Sequence, residues 1–303
     1  MRIAVTGATG FIGRHVVSEA LRRGHGLIAV LRTPDRPVVT AWRDDVEVRA
    51  IDIRTAGEDP FEKIGRPDLC IHLAWGTLVD FNDLDHFESE LPAQYTFLSR
   101  LVRGGLPRLL VAGTCLEYGL QSGCLDEKLS TSPVTPYGLA KDTLRRQLEF
   151  LQSKQDFSLA WARQFYVHGE GEGRRTLFTQ LKAAVERGDA TFPMSGGEQL
   201  RDYLAVETMA ERLVQLATMA VNPGVVNVCS GEPVSVRRLV DGWLATNSWN
   251  IALELGRYEY PAHEPLAFWG DRRKLDRCIG LQDQNEHNGF SQDTASARIH
   301  DAA

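Results

Sequence analysis

Arg2-Ile3-Ala4-Val5-Thr6-Gly7-Ala8-Thr9-Gly10-Phe11-Ile12-Gly13 is the stretch that decides the fold. Its first five residues form a short, largely apolar run, the pattern of a strand buried on both faces. From Phe11 to Arg23 the apolar residues recur at helical spacing. Three glycines lie between, each three residues from the next. Gly7 allows a tight turn, Gly10 lets backbone approach a pyrophosphate, and Gly13 lets the helix pack close to the strand. The start of a helix offers unpaired N–H groups and the positive end of its dipole to phosphate. Alone, the glycines read equally well as an ordinary turn. With a strand before and a helix behind, they predict a dinucleotide site over Gly7, Thr9, Gly10, Phe11, Ile12 and Gly13.

Outward from this unit, short apolar runs alternate with helical patterns. Strands are predicted at Leu27–Leu31, Val46–Ile51, Leu69–Ala74, Arg108–Gly113, Leu159–Arg163 and Val225–Val228, and helices at Phe87–Val102 and Pro136–Leu151. This alternation implies crossover units and an α/β fold, a Rossmann-type doubly wound parallel sheet that binds ligand beyond the carboxyl ends of its strands. Further helices are expected at Leu177–Arg187, Glu207–Ala220 and Val236–Thr246. The expected organisation is a dinucleotide-binding domain over residues 1–165, with later elements returning from about 205–246. A smaller C-terminal lobe covers 166–281, and Gln282–Ala303 forms a flexible tail.

Hydrophobic residues make up 43% and charged residues 24% of the 303-residue chain, an ordinary globular balance. The net charge of -6 is spread without a basic stripe, which argues against nucleic acid. No apolar run is long enough to span a bilayer, and the N-terminus enters a strand directly, so a cytoplasmic protein is expected. The five cysteines, an odd number without a Cys-x-x-Cys pair, read as free thiols. No cluster has metal-ligand spacing, so no metal is expected.

The end of the second strand selects the cofactor. A carboxylate there would bond the ribose 2′-hydroxyl of NAD. The chain has Leu31-Arg32-Thr33-Pro34 instead. Arg32 suits a 2′-phosphate, which favours NADP and leaves NAD possible; a solvated surface arginine is the bland alternative. Asp52 and Ile53 end the third strand near the expected adenine position. Leu73 and Ala74 end the fourth strand and Trp75 follows it, and all three are expected to line the cofactor channel.

Tyr137-Gly138-Leu139-Ala140-Lys141 places a phenol and an ammonium on one face of a helix. The ammonium favours phenolate, so such a tyrosine can give a proton to an alkoxide formed by hydride delivery. Upstream, Thr114 ends a buried strand in Gly113-Thr114-Cys115-Leu116-Glu117-Tyr118-Gly119. Its hydroxyl suits the reacting oxygen.

With these motifs in this order, the chain resembles the extended short-chain dehydrogenase/reductases of the sugar-nucleotide epimerase/dehydratase group, from Met1 to about Leu275. The resemblance implies that Thr114, Tyr137 and Lys141 form the catalytic triad. It also implies a C-terminal sugar-nucleotide lobe and a homodimer built through a four-helix bundle from the helices around Phe87–Val102 and Pro136–Leu151. Dehydratases of the group carry an Asp-Glu pair where this chain has Cys115-Leu116, so water elimination is not expected. Cys115 is read as a small packing residue beside the substrate. Glu117 should leave on the other side of an extended chain. Arg201, in Arg201-Asp202-Tyr203, would meet a diphosphate. Tyr258, in an aromatic block, would stack on a base or sugar or serve the lobe core. Val167, in Arg163–Gly169, leads into the cleft. His72-Leu73-Ala74-Trp75, Gly113–Gly119 and Phe268-Trp269-Gly270-Asp271 resemble the reductases of nucleotide-linked 4-keto-6-deoxyhexoses. An asparagine expected near Leu91 is missing. The resemblance thus implies reduction, with NADPH or NADH, of the 4-keto group of a dTDP- or CDP-linked 4-keto-6-deoxyhexose, a step of deoxysugar biosynthesis. A 4-epimerase with tightly held NAD is the close alternative, and a non-catalytic nucleotide sensor the remote one.

Overall fold

The computed structural model describes residues 1–33, 42, 45–76, 78–171, 176–260 and 264–280. Pro34 and the expected tail Gln282–Ala303 lie outside them. In chain order the strands are β1 (Arg2–Thr6), β2 (Gly26–Leu31), β3 (Val46–Ala50), β4 (Leu69–His72), β5 (Arg108–Thr114), β6 (Gly123–Leu125), β7 (Ser158–Gln164) and β8 (Tyr166–His168). There follow β9 (Thr191–Pro193), β10 (Leu200–Arg201), β11 (Tyr203–Ala205), β12 (Gly224–Val228), β13 (Val234–Ser235), β14 (Ala252–Glu254) and β15 (Phe268–Gly270). Seven of them form one parallel sheet in the order β12-β7-β5-β4-β1-β2-β3. Strand order reverses between β4 and β1, which opens a crevice at their carboxyl ends.

Side chains alternate between the two faces. Ile3, Val5, Leu69, Ile71, Leu110 and Ala160 join one core with helices Phe11–Arg22 and Val206–Thr218 through Val16, Val17, Met209 and Leu213. Ala4, Cys70, Leu109, Val111, Leu159 and Trp161 join the other with helices Leu91–Arg103 and Pro136–Gln152 through Phe97, Leu101, Leu144 and Leu148. Both faces are covered, which is why the strands read as continuous apolar runs.

Of the 205–246 segment, helix Val206–Thr218 and β12 return to the sheet. Helix Val236–Thr246 instead packs in a third cluster, where Val240 and Trp243 meet Leu181, Phe192 and Ile251. A fourth cluster of Cys115, Tyr118, Leu125, Phe165, Cys229 and Phe268 gathers residues from the ends of β5 and β12 with others from β6 and β15. No helix among the described residues is long and apolar enough to cross a membrane.

Most element boundaries fall within a residue or two of the sequence reading, and two of the differences bear on the site. The fourth strand stops at His72, so Ala74 stands beyond it. The helix expected from Phe87 begins as a wide π turn, His86–Glu90, in which the Leu91 N–H bonds the His86 carbonyl. Pro92 has no N–H to return to Glu88, so the usual four-residue ladder is broken there.

At Gly13 a Cβ would lie 2.1 Å from the Gly7 carbonyl oxygen. Gly13→Ala must push the helix off its own loop. The expected loss is about 1–3 kcal/mol, measurable as a lower urea midpoint with an unchanged m-value.

Candidate active site

At Gly7 and Gly13 the glycine loop carries no side chain because backbone stands where one would be. Gly7 has φ +67, and a Cβ there would meet the Ala74 nitrogen at 2.9 Å. Gly10 is the N-cap of helix Phe11–Arg22, with no side-chain cap bond. The N–H groups of that first turn are therefore left to a ligand. Phe11 and Ile12 open the helix, and Ile12 packs on the first core.

The crevice beside the loop is lined by Gly7 and Thr9, by Arg32 and Thr33 after β2, by Asp52 and Ile53 after β3, and by Ala74 and Trp75 after β4. These are residues the sequence reading assigned to the cofactor, Thr33 excepted. Arg32 is exposed at its wall. Leu73 and Val167 pack against the first core. The sequence reading missed Arg54, Gly76 and Glu90, which line the same crevice.

A polar relay runs from the glycine loop to these residues. Thr6 Oγ1 accepts from the Leu73 and Ala74 N–H groups at 3.2 and 3.3 Å and meets His72 Nδ1 at 2.9 Å. His72 Nε2 meets Gln94 Oε1 at 2.7 Å, and Gln94 Nε2 donates to Glu90 Oε2 at 2.9 Å. Glu90 also accepts from Gly76 N–H at 3.0 Å and pairs with Arg54. Gln94 Oε1 can only accept, so the His72 proton sits on Nε2 and Nδ1 accepts from Thr6. Burial above all, and then the nearby Lys141 charge, push His72 down to about 3. The relay occupies the neighbourhood where the missing asparagine was expected. Helical i, i+4 spacing of Glu90 and Gln94 was the available signal.

Next to the crevice, behind Trp75, Thr135 caps helix Pro136–Gln152 by accepting from Gly138 N–H at 3.1 Å. Tyr137 and Lys141 sit one turn apart. Lys141 is buried, and its Nζ donates to the Ala112 carbonyl at 2.9 Å. That ammonium lies 3.8 Å above the Trp75 ring and 5.8 Å from the Tyr137 ring. The Tyr137 ring stacks on Phe81 at 4.9 Å and abuts His86 at 5.1 Å and Trp75 at 6.0 Å. Trp75 Nε1 donates to His86 Nδ1 at 3.1 Å, and His86 Nε2 meets the Asp80 carbonyl at 2.9 Å. Phe81 and His86 complete an aromatic frame that no local motif announced.

Thr114 ends β5 two residues beyond Ala112. It caps a 3₁₀ turn, Cys115–Tyr118, with its Oγ1 accepting from Leu116 N–H at 3.3 Å. The chain there is coiled, not extended as read from the sequence. Glu117 therefore turns back into the protein instead of leaving across a strand. Cys115 is buried in the fourth cluster, and burial, with Glu264 and Asp202 adding, pushes its thiol far up. It is a neutral packing group, unsuited to act as a base.

Arg201 and Tyr258 line one cleft together with Tyr166, Gln199, Tyr203 and Glu264. Arg201 is buried and its donors are engaged: Glu264 at 2.9 Å, the Leu200 carbonyl at 2.9 Å and the Leu266 carbonyl at 3.1 Å. Tyr166 also bonds Glu264 at 2.5 Å. Tyr258 is exposed at the cleft.

The arrangement offers an anion-binding loop in the crevice, a phenol–ammonium pair that meets the crevice at Trp75, and the Thr114 hydroxyl two residues beyond the Ala112 carbonyl that Lys141 holds. The model of the NAD dependent epimerase/dehydratase family matches residues 3–229. The chain is 29% identical to the dTDP-6-deoxy-L-talose 4-dehydrogenase (NAD(+)) of Aggregatibacter actinomycetemcomitans, over 89% of this chain and 99% of that protein. It is 23% identical to a UDP-glucose 4-epimerase of Neisseria meningitidis serogroup C, over 97% and 96% of the two chains. The crystal structure of a UDP-glucose-4-epimerase from Stenotrophomonas maltophila, with bound NAD and formylated UDP-arabinopyranose, superposes with a TM-score of 0.82 at 22% identity, over 92% of each chain. That last likeness concerns the fold.

His72 supplies a pH test. Its folded pKa lies below its unfolded value of 6.5, so the unfolded chain takes up the proton first. The stability this group contributes is complete above pH 6.5 and is lost as pH falls toward about 3. The slope approaches about 1.4 kcal/mol per pH unit. Urea unfolding at pH 7 and pH 5 should show this loss in the wild type and a smaller one in His72→Asn.

Proposed function

The chain belongs to the NAD dependent epimerase/dehydratase family, and on that premise we propose that it reduces the 4-keto group of a nucleotide-diphosphate-linked 4-keto-6-deoxyhexose. The observation that carries this reading is Lys141, buried between the Ala112 carbonyl and the Trp75 ring, one helical turn from Tyr137. The glycine loop fits a dinucleotide, since backbone fills the places where Cβ atoms at Gly7 and Gly13 would stand and the first helical turn keeps its N–H groups for phosphate. When bound, the dinucleotide supplies a hydride to C4.

Tyr137 gives its phenolic proton to the C4 oxygen, so that the carbonyl becomes a hydroxyl. Lys141 holds a positive charge beside the resulting phenolate and would hold the ribose of a bound nicotinamide dinucleotide. Thr114 uses one lone pair on Leu116 N–H and turns its own proton toward the substrate oxygen. Phe81 stacks on Tyr137 and Trp75 meets it edge-on, apolar surroundings that would suit a deoxysugar. The relative that acts on dTDP-6-deoxy-L-talose supports a substrate of this class.

Arg32 at the crevice wall, with no carboxylate among Leu31–Thr33, favours NADPH over NADH. Tyr258, Arg201 and Cys115 line or back the substrate side. Leu139 and Phe150 lie three helical turns apart on one face of helix Pro136–Gln152 and are both exposed, which supports a homodimer through that helix.

The test is absorbance at the reduced-nicotinamide band with dTDP-4-keto-6-deoxyglucose, using NADPH and NADH in parallel. Signal is expected to fall faster with NADPH, and Arg32→Ala should reduce that preference about tenfold or more. Tyr137→Phe should lower kcat by about 10²–10⁴ with cofactor Kd nearly unchanged. Full turnover in that variant would defeat the assignment. Likeness to a UDP-glucose 4-epimerase along nearly the whole chain supports a second reading. No consumption of either cofactor, with dinucleotide released on denaturation, selects the epimerase.

A further inference from the structure

Glu117 carries a buried carboxylate beside the reacting end of β5, and the chemistry derived so far makes no use of it. We propose that Glu117, held by Arg163, is the positioning residue that sets the orientation of the Thr114 hydroxyl. The proposal rests on the reading of Thr114 as the group that holds the substrate oxygen.

Glu117 has no exposed surface. Its Oε1 accepts from the Thr114 backbone N–H at 2.9 Å and from Trp161 Nε1 at 2.9 Å. Its Oε2 accepts from Arg163 Nε at 2.7 Å. A second guanidinium, Arg145, stands 4.0 Å away. One carboxylate thus ties the last residue of β5 to two residues of β7, at the point where the register of the two strands ends with Thr114 opposite Gln164.

The bond from Glu117 to the Thr114 amide is half of a capping box, and the Thr114 hydroxyl accepting from the Glu117 backbone N–H is the other half, beside its bond from Leu116 N–H at 3.3 Å. Backbone and side chain of Thr114 are therefore fixed by the same turn. Arg163 in its turn depends on Glu117. It is buried over the Tyr118 ring at 4.6 Å, and its Nη1 has no hydrogen-bond partner among the described residues. There is also no room to loosen the assembly from the strand side. A Cβ at Gly113 would stand 2.3 Å from Trp161 Nε1 and 2.7 Å from Glu117 Oε1.

Glutamine at 117 has the same shape but one oxygen fewer. If its oxygen serves Thr114 and Trp161, its NH₂ faces the Arg163 donor. If it turns over, its NH₂ faces the Thr114 amide. Either way a donor meets a donor and the turn must shift. Displacements of about 1 Å at a reacting group reduce turnover by up to about 10²-fold.

The experiment is a double-mutant cycle on kcat and KM with Thr114→Val, Glu117→Gln and the double variant, together with cofactor Kd and Tm. Glu117→Gln should lower kcat about tenfold, leave cofactor Kd within about twofold, and lower Tm. On the Thr114→Val background it should lower Tm again but reduce kcat by less than about twofold. If Glu117→Gln does not fold, Trp161→Phe replaces it, removing one donor from Oε1 together with part of a buried ring, so Tm also falls; about threefold in kcat is expected, absent on the Thr114→Val background. Equal losses of kcat on both backgrounds, or no loss in Glu117→Gln, overturn the positioning role while leaving the reading of Thr114 intact. Full activity in Thr114→Val alone overturns that reading and the inference with it.

Discussion

The bond between Thr6 and His72 joins β1 to β4 where strand order reverses, and the crevice exists because these two strands part there. Thr6 holds the backbone after β4 through two amides while its own proton goes to His72. The glycine loop must then pass over Ala74 at a distance that admits no side chain. A histidine serves here because, kept neutral, it accepts on one nitrogen and donates on the other. That lets it carry a hydrogen-bonded line from the loop to Gln94 and Glu90. Burial keeps it neutral, so the two faces of the core that enclose the sheet also decide the state of the crevice floor.

How much of this was legible in the sequence depended on the length of the pattern involved. The seven sheet strands and the long helices were readable because both sheet faces are covered, and runs such as Leu69–Ile71 are apolar throughout. Gly7, Gly13, Tyr137 and Lys141 were readable because each is fixed by a turn or a helical repeat a few residues long. Phe81, His86 and Arg54 were not. Phe81 and His86 reach Tyr137, and Arg54 reaches the crevice, from separate loops and a turn, and nothing near them in sequence marks those meetings. The short strand pairs, such as β6 with β15, lie far apart in the chain and are only two or three residues long.

Two departures show how local rules yield to packing. An extended chain after Thr114 was the natural reading of a strand end, yet the Glu117 side chain finds its partners only if the backbone coils. The wide turn before Leu91 follows from a missing N–H at Pro92, and it aims Glu90 inward beside Gln94. In both places a carboxylate is buried, and in both it is satisfied by a backbone amide and a guanidinium together. This matches the general requirement that a buried charge be paired and hydrogen-bonded.

The ion pair between Arg201 and Glu264 has a thermodynamic consequence. A guanidinium that is already neutralised offers an incoming anion no net field. Any phosphate that takes its donors must first displace a carboxylate, so binding there is an exchange of one anion for another. The free energy of such an exchange is a small difference between two similar interactions. The affinity of the cleft is therefore set less by the arginine than by how well the released Glu264, with Tyr166 beside it, is accommodated by water and by the rest of the ligand.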